Sequence, residues 1–258
     1  MARIRHKIAV ISGKGGVGKS FVAANLAVAM ALRGRRTGIL DADFHGPSIP
    51  KILGVRGSTL VGTPAGVVPV AGPLGVLVVS VDFMLPSEET PLVWRGPLKA
   101  SVLRELLARV AWGELDYLFI DLPPGTGDEP LSVVQLIRDL DGALIVTTPS
   151  DLSRAIVKKA ISFARGVGVP VLGVVENMCG FCCPETGKVY YIFGRGGGRK
   201  MAEEMGVDFL GEIPLDPRIN EANDRGVPFV LAYSDTEAAR AIIEIAAKME
   251  SKLEQGEK

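Results

Sequence analysis

The residues best equipped for chemistry are Gly13-Lys14-Gly15-Gly16-Val17-Gly18-Lys19-Ser20, two glycines separated by four residues and followed by Lys and Ser. Glycines let a backbone curl around phosphate oxygens so that several N–H groups point at them, at the positive end of the helix that follows. Lys19 then reaches the β- and γ-phosphates, and the Ser20 hydroxyl is placed to ligate Mg²⁺. The flanks give the pattern its meaning. Ile8-Ala9-Val10-Ile11 reads as a buried strand, and Phe21 to Leu32 as an Ala-rich helix. A strand, a glycine loop, Lys-Ser and a helix in that order point to a nucleoside triphosphate. Lys14 is a second lysine in a loop where Lys19 already neutralises phosphate. It is either a solvated charge or a group that acts on the nucleotide of a second subunit, as an arginine finger does.

These residues need a frame, and the chain supplies one. Apolar, β-branched runs at Ile8–Ser12, Thr37–Asp41, Val76–Val81, Tyr117–Asp121, Gly142–Thr147 and Val171–Glu176, with a short one at Asp208–Gly211, lack polar alternation, as strands buried on both faces do. Helical patterns fall between them at Phe21–Leu32, Leu98–Ala111, Glu129–Leu140, Leu152–Ala164, Gly198–Met205 and Asp235–Leu253. The alternation predicts an α/β fold, a doubly wound, mostly parallel sheet flanked by helices. With 258 residues and 47% hydrophobic content, residues 1–258 are expected to share one core, and no linker divides them. The stretch from Phe44 to Gly75, rich in Gly and Pro, is expected to be mostly loop with short strands.

Lys and Arg balance Asp and Glu at 29 each, so net charge gives no case for nucleic acid or an anionic membrane as partner. No apolar run is long enough to span a bilayer, and the basic Met1–Lys7 segment leads straight into a strand without a signal-peptide core. A cytoplasmic location is the expectation.

Two further carboxylate sites fall at strand ends, where ligands bind in such sheets. Asp121 closes Tyr117-Leu118-Phe119-Ile120-Asp121 and precedes Leu122-Pro123-Pro124-Gly125-Thr126-Gly127-Asp128. An apolar strand delivering an aspartate beside a phosphate loop is the Walker B arrangement, which holds Mg²⁺ directly or through water. Asp128 reads as an acidic helix start. Asp41 and Asp43 follow the second strand. Asp43 is the candidate for orienting an attacking water and for the metal shell, and Asp41 for a metal-shell or structural role. Asp also commonly starts turns, which is the competing reading of the pair.

All three cysteines, Cys179, Cys182 and Cys183, lie within five residues, in a segment expected to form a loop at about 178–198. Clustering in a loop points to metal or redox chemistry. Three thiolates do not complete a Cys₄ site, but two from each subunit of a homodimer would ligate one [4Fe–4S] cluster on the two-fold axis. Zinc on the same ligands, or a Cys182–Cys183 disulfide without metal, are the alternatives.

The string GKGGVGKS resembles the deviant phosphate loop of the ATPases that include MinD, ParA, the nitrogenase iron protein and the Mrp/ApbC carriers. That resemblance implies a nucleotide-sandwich dimer with Lys14 crossing the interface. Further along, Asp41-Ala42-Asp43-Phe44-His45-Gly46-Pro47-Ser48, Val93-Trp94-Arg95-Gly96-Pro97, Ile120 to Asp128, Glu176-Asn177-Met178, Ile192-Phe193-Gly194 and Ile213-Pro214-Leu215-Asp216 follow in order. Together they resemble the Mrp/ApbC/Nbp family of iron–sulfur cluster carrier ATPases from Lys7 to about Ala247. The resemblance implies weak ATP hydrolysis, a labile [4Fe–4S] cluster passed to apo iron–sulfur proteins, and adenine contacts from Asn177 and the loop around Pro214 and Asp216. One departure stands out. The family's CPxC continues here as Cys183-Pro184-Glu185-Thr186, so Cys179 or Cys182 must replace the second ligand if the site is kept. Adjacent residues of an extended chain point oppositely, and Gly180 permits a tight turn, so Cys179 with Cys183 is the expected pair and Cys182 the rival to Cys179. A spatial regulator of MinD or ParA type and an ATP-dependent electron donor are the other classes. The mixed-charge segment from Asp235 to Lys258 and the lack of a cysteine near Asp121 speak against them.

Overall fold

The computed structural model describes residues 3–64, 66–84, 96–137, 139–150 and 152–256. Val93-Trp94-Arg95 of the sequence motif therefore falls outside the described residues. The strands are β1 (Ile4–Ile11), β2 (Thr37–Asp41), β3 (Val61–Thr63), β4 (Gly66–Val68), β5 (Val70–Ala71), β6 (Leu77–Ser80), β7 (Leu115–Asp121), β8 (Gly142–Thr147), β9 (Val171–Cys182), β10 (Val189–Tyr190) and β11 (Phe209–Leu215). The helices are α1 (Lys19–Leu32), α2 (Ile49–Ile52), α3 (Gly96–Arg109), α4 (Asp128–Leu136), α5 (Leu152–Gly166), α6 (Gly197–Met205), α7 (Arg218–Arg225), α8 (Phe229–Ala232) and α9 (Glu237–Gln255).

The main sheet runs β10-β9-β8-β1-β7-β2-β6-β5, with β11 also paired to β9. Its central strands are parallel, and only β5 and β10 at the two ends pair antiparallel. β2, β8 and most of β1 and β7 are buried along their length, which is why these runs carry no polar alternation. Each face has its own apolar layer. Ile8, Val10, Phe119 and Leu144 point to one, with α1 and α9. Ala9, Ile11, Leu118 and Ile120 point to the other, with α3 and α5. Full burial of Phe119 alone is worth about 1.5–3 kcal/mol. The Ala-rich stretch of α1 is buried on nearly every side, and its small side chains let it lie between the sheet and α9.

Two expectations change. The helix expected to run to Leu140 stops at Leu136, because Ile137 leaves helical dihedrals (φ −95°, ψ 106°) to bury its side chain. The strand expected to end at Glu176 continues to Cys182. Backbone pairing sustains it: Ile213 and Leu215 of β11 register with Asn177 and Phe181, and β10 registers Val189 with Cys182. Cys179 and Cys182 thus stand on a strand and not in a loop.

Candidate nucleotide site and cysteine hairpin

β1 ends at the centre of the sheet, flanked by β7 and β8, and the phosphate loop turns from its carboxyl end into α1. Two glycines take left-handed backbone there, Gly16 at φ 76° and Gly18 at φ 79°. Gly13 packs so tightly on α5 that a Cβ would stand 2.7 Å from the carbonyl oxygen of Ile156. The hydroxyl of Ser12 donates to the carbonyl of Lys14 (3.0 Å), and Gly125 N–H donates to the Ser12 carbonyl (2.8 Å), fixing the loop against the segment after β7.

Below the loop lies the ionic centre. Lys19 Nζ donates to Asp121 Oδ1 and Ser20 Oγ to Asp121 Oδ2, each at 2.5 Å. Burial pushes the Asp121 carboxyl up, against the pull of the Lys19 ammonium. Asp41, its register partner on β2, is pushed well above the usual range by burial and then by the Asp121 charge. Two buried carboxylates beside one lysine and one hydroxyl are hard oxygen donors that fit a divalent cation. Asp41 is also a structural anchor. It accepts from Asp43 N–H (3.2 Å), Ile49 N–H (3.3 Å) and Ser80 Oγ (3.2 Å), holding the loop that leads to α2. Asp43 Oδ1 accepts from the N–H groups of His45 (3.1 Å) and Gly46 (3.3 Å), so the carboxylate sits at the head of a tight turn.

That turn is tethered from outside. His45 Nε2, Glu129 Oε1 and Lys99 Nζ form a triangle with edges of 2.9, 2.7 and 2.8 Å. It joins the Asp43 loop to α3 and to the start of α4, which follows the loop after Asp121.

Two cavities meet above α1. One, of about 420 Å³, is lined by Gly15 through Phe21 and by Asp43. The other, of about 310 Å³, is lined by Asn177, Met178, Pro214 and Asp216. Both sets of predicted residues are therefore brought together, with Lys14, half-buried, outside the walls of either cavity. Asn177 Nδ2 donates to the Val17 carbonyl at 2.9 Å, so the middle of β9 is bonded to the phosphate loop. Asp216 receives the backbone N–H and the guanidinium of Arg218, which holds its carboxyl below the usual range despite partial burial. Asn220 and Asn223 of α7 line both cavities and were not foreseen. Their polar run, Arg218 to Arg225, reads in sequence as an exposed turn.

β9 carries the site onward. Met178, next to Asn177, sits in left-handed backbone at φ 63°. Glu176 on the same strand accepts from Gly196 and Gly198 N–H groups (3.2 and 2.5 Å) and so anchors the start of α6. Between Asn177 and Phe181 the strand bulges, with Met178 and Gly180 at positive φ (63° and 106°) and four steps of β9 matched to two of β11, but the tight turn that reverses the chain is not at Gly180. It comes later, from Cys183 to Lys188, closed by Gly187 N–H on the Cys183 carbonyl (2.8 Å) and Cys183 N–H on the Lys188 carbonyl (3.0 Å). Cys179 is half-buried, and burial with the nearby Glu212 and Glu176 charges pushes its thiol up to about 12. Cys183 moves the other way, because the Thr186 hydroxyl and the backbone of Thr186 and Glu185 stabilise its thiolate. Cys182 is exposed, its sulfur 3.7 Å from the Gly187 carbonyl. Both Cys182 and Cys183 thus touch the same turn, whereas Cys179 faces β11. Among the described residues no three His, Cys, Asp or Glu side chains converge on a point that could hold a metal ion. Nor is any described helix long and apolar enough to cross a membrane.

The turn is followed by an exposed apolar strip, Tyr190, Tyr191, Ile192 and Phe193. Lys188 lies over the Tyr190 ring (5.3 Å) and Arg195 over Tyr191 (4.8 Å).

Known proteins resemble this chain over most of its length. A protein of Saccharolobus solfataricus named iron–sulfur cluster carrier protein is 59% identical, with 96% of this chain and 84% of the relative covered. Another of that name from Methanocaldococcus jannaschii is 50% identical, covering 98% and 88%. The solved structure of a nucleotide-binding protein from Archaeoglobus fulgidus, in complex with ADP and with cobalt found, matches at TM-score 0.78 and 47% identity over 87% of this chain and 88% of that one. MinD of Aquifex aeolicus shares the fold at TM-score 0.68 and 22% identity, covering 95% and 97%. Residues 3–250 match the ParA family described as NUBPL iron-transfer P-loop NTPases, and the chain belongs to that family.

Proposed function

We propose that this protein binds and hydrolyses ATP and carries a [4Fe–4S] cluster between two copies of itself, for delivery to apo iron–sulfur proteins. One observation carries the reading: β9 bears Asn177 at the nucleotide cavity and ends in the cysteine hairpin, so one strand serves both sites. The relatives' name supports the cargo, and the exposed strip beside the hairpin supplies apolar surface for a partner subunit.

The roles follow from position. Gly13 to Ser20 cradle the phosphates, with Lys19 on the terminal ones. Ser20, Asp43 and Asp121 would hold Mg²⁺, which would supply charge neutralisation at the β- and γ-phosphates. Asp43 orients the attacking water. Lys14, outside its own cavity, acts on the nucleotide of the second subunit. Asn177 and the Pro214–Asp216 wall take the adenine.

For the cargo, Cys183 is the first ligand. Cys182 is the better companion, since its thiol is exposed at the same turn while Cys179 is held protonated beside Glu212. Two thiolates from each of two subunits make the four that such a cluster needs. Reconstitution under anaerobic conditions should give about four irons per dimer, by that stoichiometry. Cys183→Ala should lose them and keep ATP binding. A Cys183→Ala protein that retains a full cluster, or a wild-type protein that takes zinc and refuses iron, would sink the proposal.

A further inference from the structure

The phosphate and base cavities share four wall residues: Gly18, Phe21, Asn220 and Asn223. In a nucleotide the sugar is what joins phosphates to base, so the shared wall is where a ribose must pass. Gly18 offers no side chain and Phe21 is buried in the core. Asn220 directs its amide to Asp224 at 3.4 Å. Asn223 differs from these. Its Oδ1 is buried and has no hydrogen-bond partner among the described residues. A buried acceptor left unmatched is costly, and a ligand that brings a donor to it removes that cost.

We infer that Asn223 is a sugar-reading residue, whose Oδ1 accepts a hydrogen bond from a ribose hydroxyl of the bound nucleotide and makes the site prefer ribonucleotides. The inference rests on the nucleotide reading of the site. Helix α7 is placed to do this. The Lys51–Asp224 ion pair (2.6 Å) ties it to α2, and a Cβ on Gly226 would meet Gly54 Cα at 2.8 Å, so Asn223 sits on a support packed against the phosphate side of the site. Phosphate contacts are the same for ribo- and deoxyribonucleotides, so only a group at the junction discriminates them.

The test is equilibrium binding of ATP, 2′-deoxy-ATP, 3′-deoxy-ATP and inosine triphosphate, with magnesium, to the wild type, Asn223→Ala and Asn223→Ser. Losing the hydroxyl that meets a buried acceptor should weaken binding about tenfold. One of the two deoxy analogues should therefore bind wild type about tenfold more weakly than ATP. In Asn223→Ala that gap should close to within twofold. Inosine triphosphate, whose sugar is intact but which lacks the exocyclic amine, should lose equally in wild type and variants. Equal binding of ATP and both deoxy analogues by the wild type overturns the inference without any variant. So does a gap that survives in both variants, or an inosine penalty that vanishes with Asn223, which would place Asn223 on the base. If ATP itself fails to bind, the nucleotide reading falls first and is seen to do so.

Discussion

Replacing Lys19 with methionine tests the ionic centre in the nucleotide-free protein. Lys19 and Asp121 are 6% and 0% exposed, with Asp41 buried on the neighbouring strand. Methionine keeps most of the stem and removes the charge, leaving two buried carboxylates without their cation. Breaking such a pair from one side costs roughly 3–5 kcal/mol. For a chain of this size each kcal/mol moves the melting temperature by about 2–4 °C, so the expected loss is about 6–20 °C. Its pH dependence has a definite sign. The folded carboxyls of Asp41 and Asp121 already lie above their unfolded values, so the folded state takes up protons and is penalised as pH rises. Removing Lys19 raises them further, so the deficit against wild type should be large at pH 8 and shrink toward pH 5. Adding Asp121→Asn to Lys19→Met should restore part of it. Differential scanning calorimetry across that range decides. A Lys19→Met protein that melts with wild type, or whose deficit ignores pH, would show that the pair is not the constraint described.

Three other outcomes are expected. Lys14→Ala and Asp43→Asn should keep ATP affinity and lower turnover at least 100-fold, the scale of lost transition-state charge stabilisation or water positioning, in a phosphate-release assay; wild-type turnover in either removes that assignment. In the apo protein Cys183 should be alkylated by iodoacetamide fastest near pH 7 and Cys179 slowest, its rate still climbing well above pH 9, as read by peptide mass spectrometry; the reverse order would contradict the hairpin geometry. Glu250 is buried yet held below the usual carboxyl range by hydrogen bonds from Arg33 and Arg35. Its contribution is present above the unfolded carboxyl value and lost as pH falls through the folded one. Glu250→Gln should therefore cost about 1 kcal/mol at pH 7, and not more because both arginines are over a third exposed, with the cost shrinking progressively as pH falls below the unfolded carboxyl value, by urea denaturation.

The phosphate loop was legible because glycine spacing, strand and helix each state the same local geometry. Asp121 was legible because five apolar residues deliver it. β9 beyond Glu176 was not. Asn177-Met178-Cys179-Gly180 has the composition of a turn and forms a bulge, and what carries the strand past it is the pairing of Phe181 and Cys182 with β10 and β11, which local composition does not reveal. Asn223 was missed for a related reason. Nothing in Arg218–Arg225 distinguishes an asparagine facing a cavity from one facing water; only the packing of α7 against α2 decides it.

The extended course of β9 has a mechanical side. Asn177 is bonded to the phosphate loop, and Cys182 lies five residues further along the same strand. The bulge at Met178 and Gly180 shortens the arm, because the four steps from Asn177 to Phe181 match only two of β11, so Cys182 stands about three strand steps, roughly 10 Å, from Asn177. A tilt of about 10° at Asn177 therefore carries Cys182 through roughly 2 Å. Met178 stands beside this pivot, and the length of strand between Asn177 and the thiol sets the displacement.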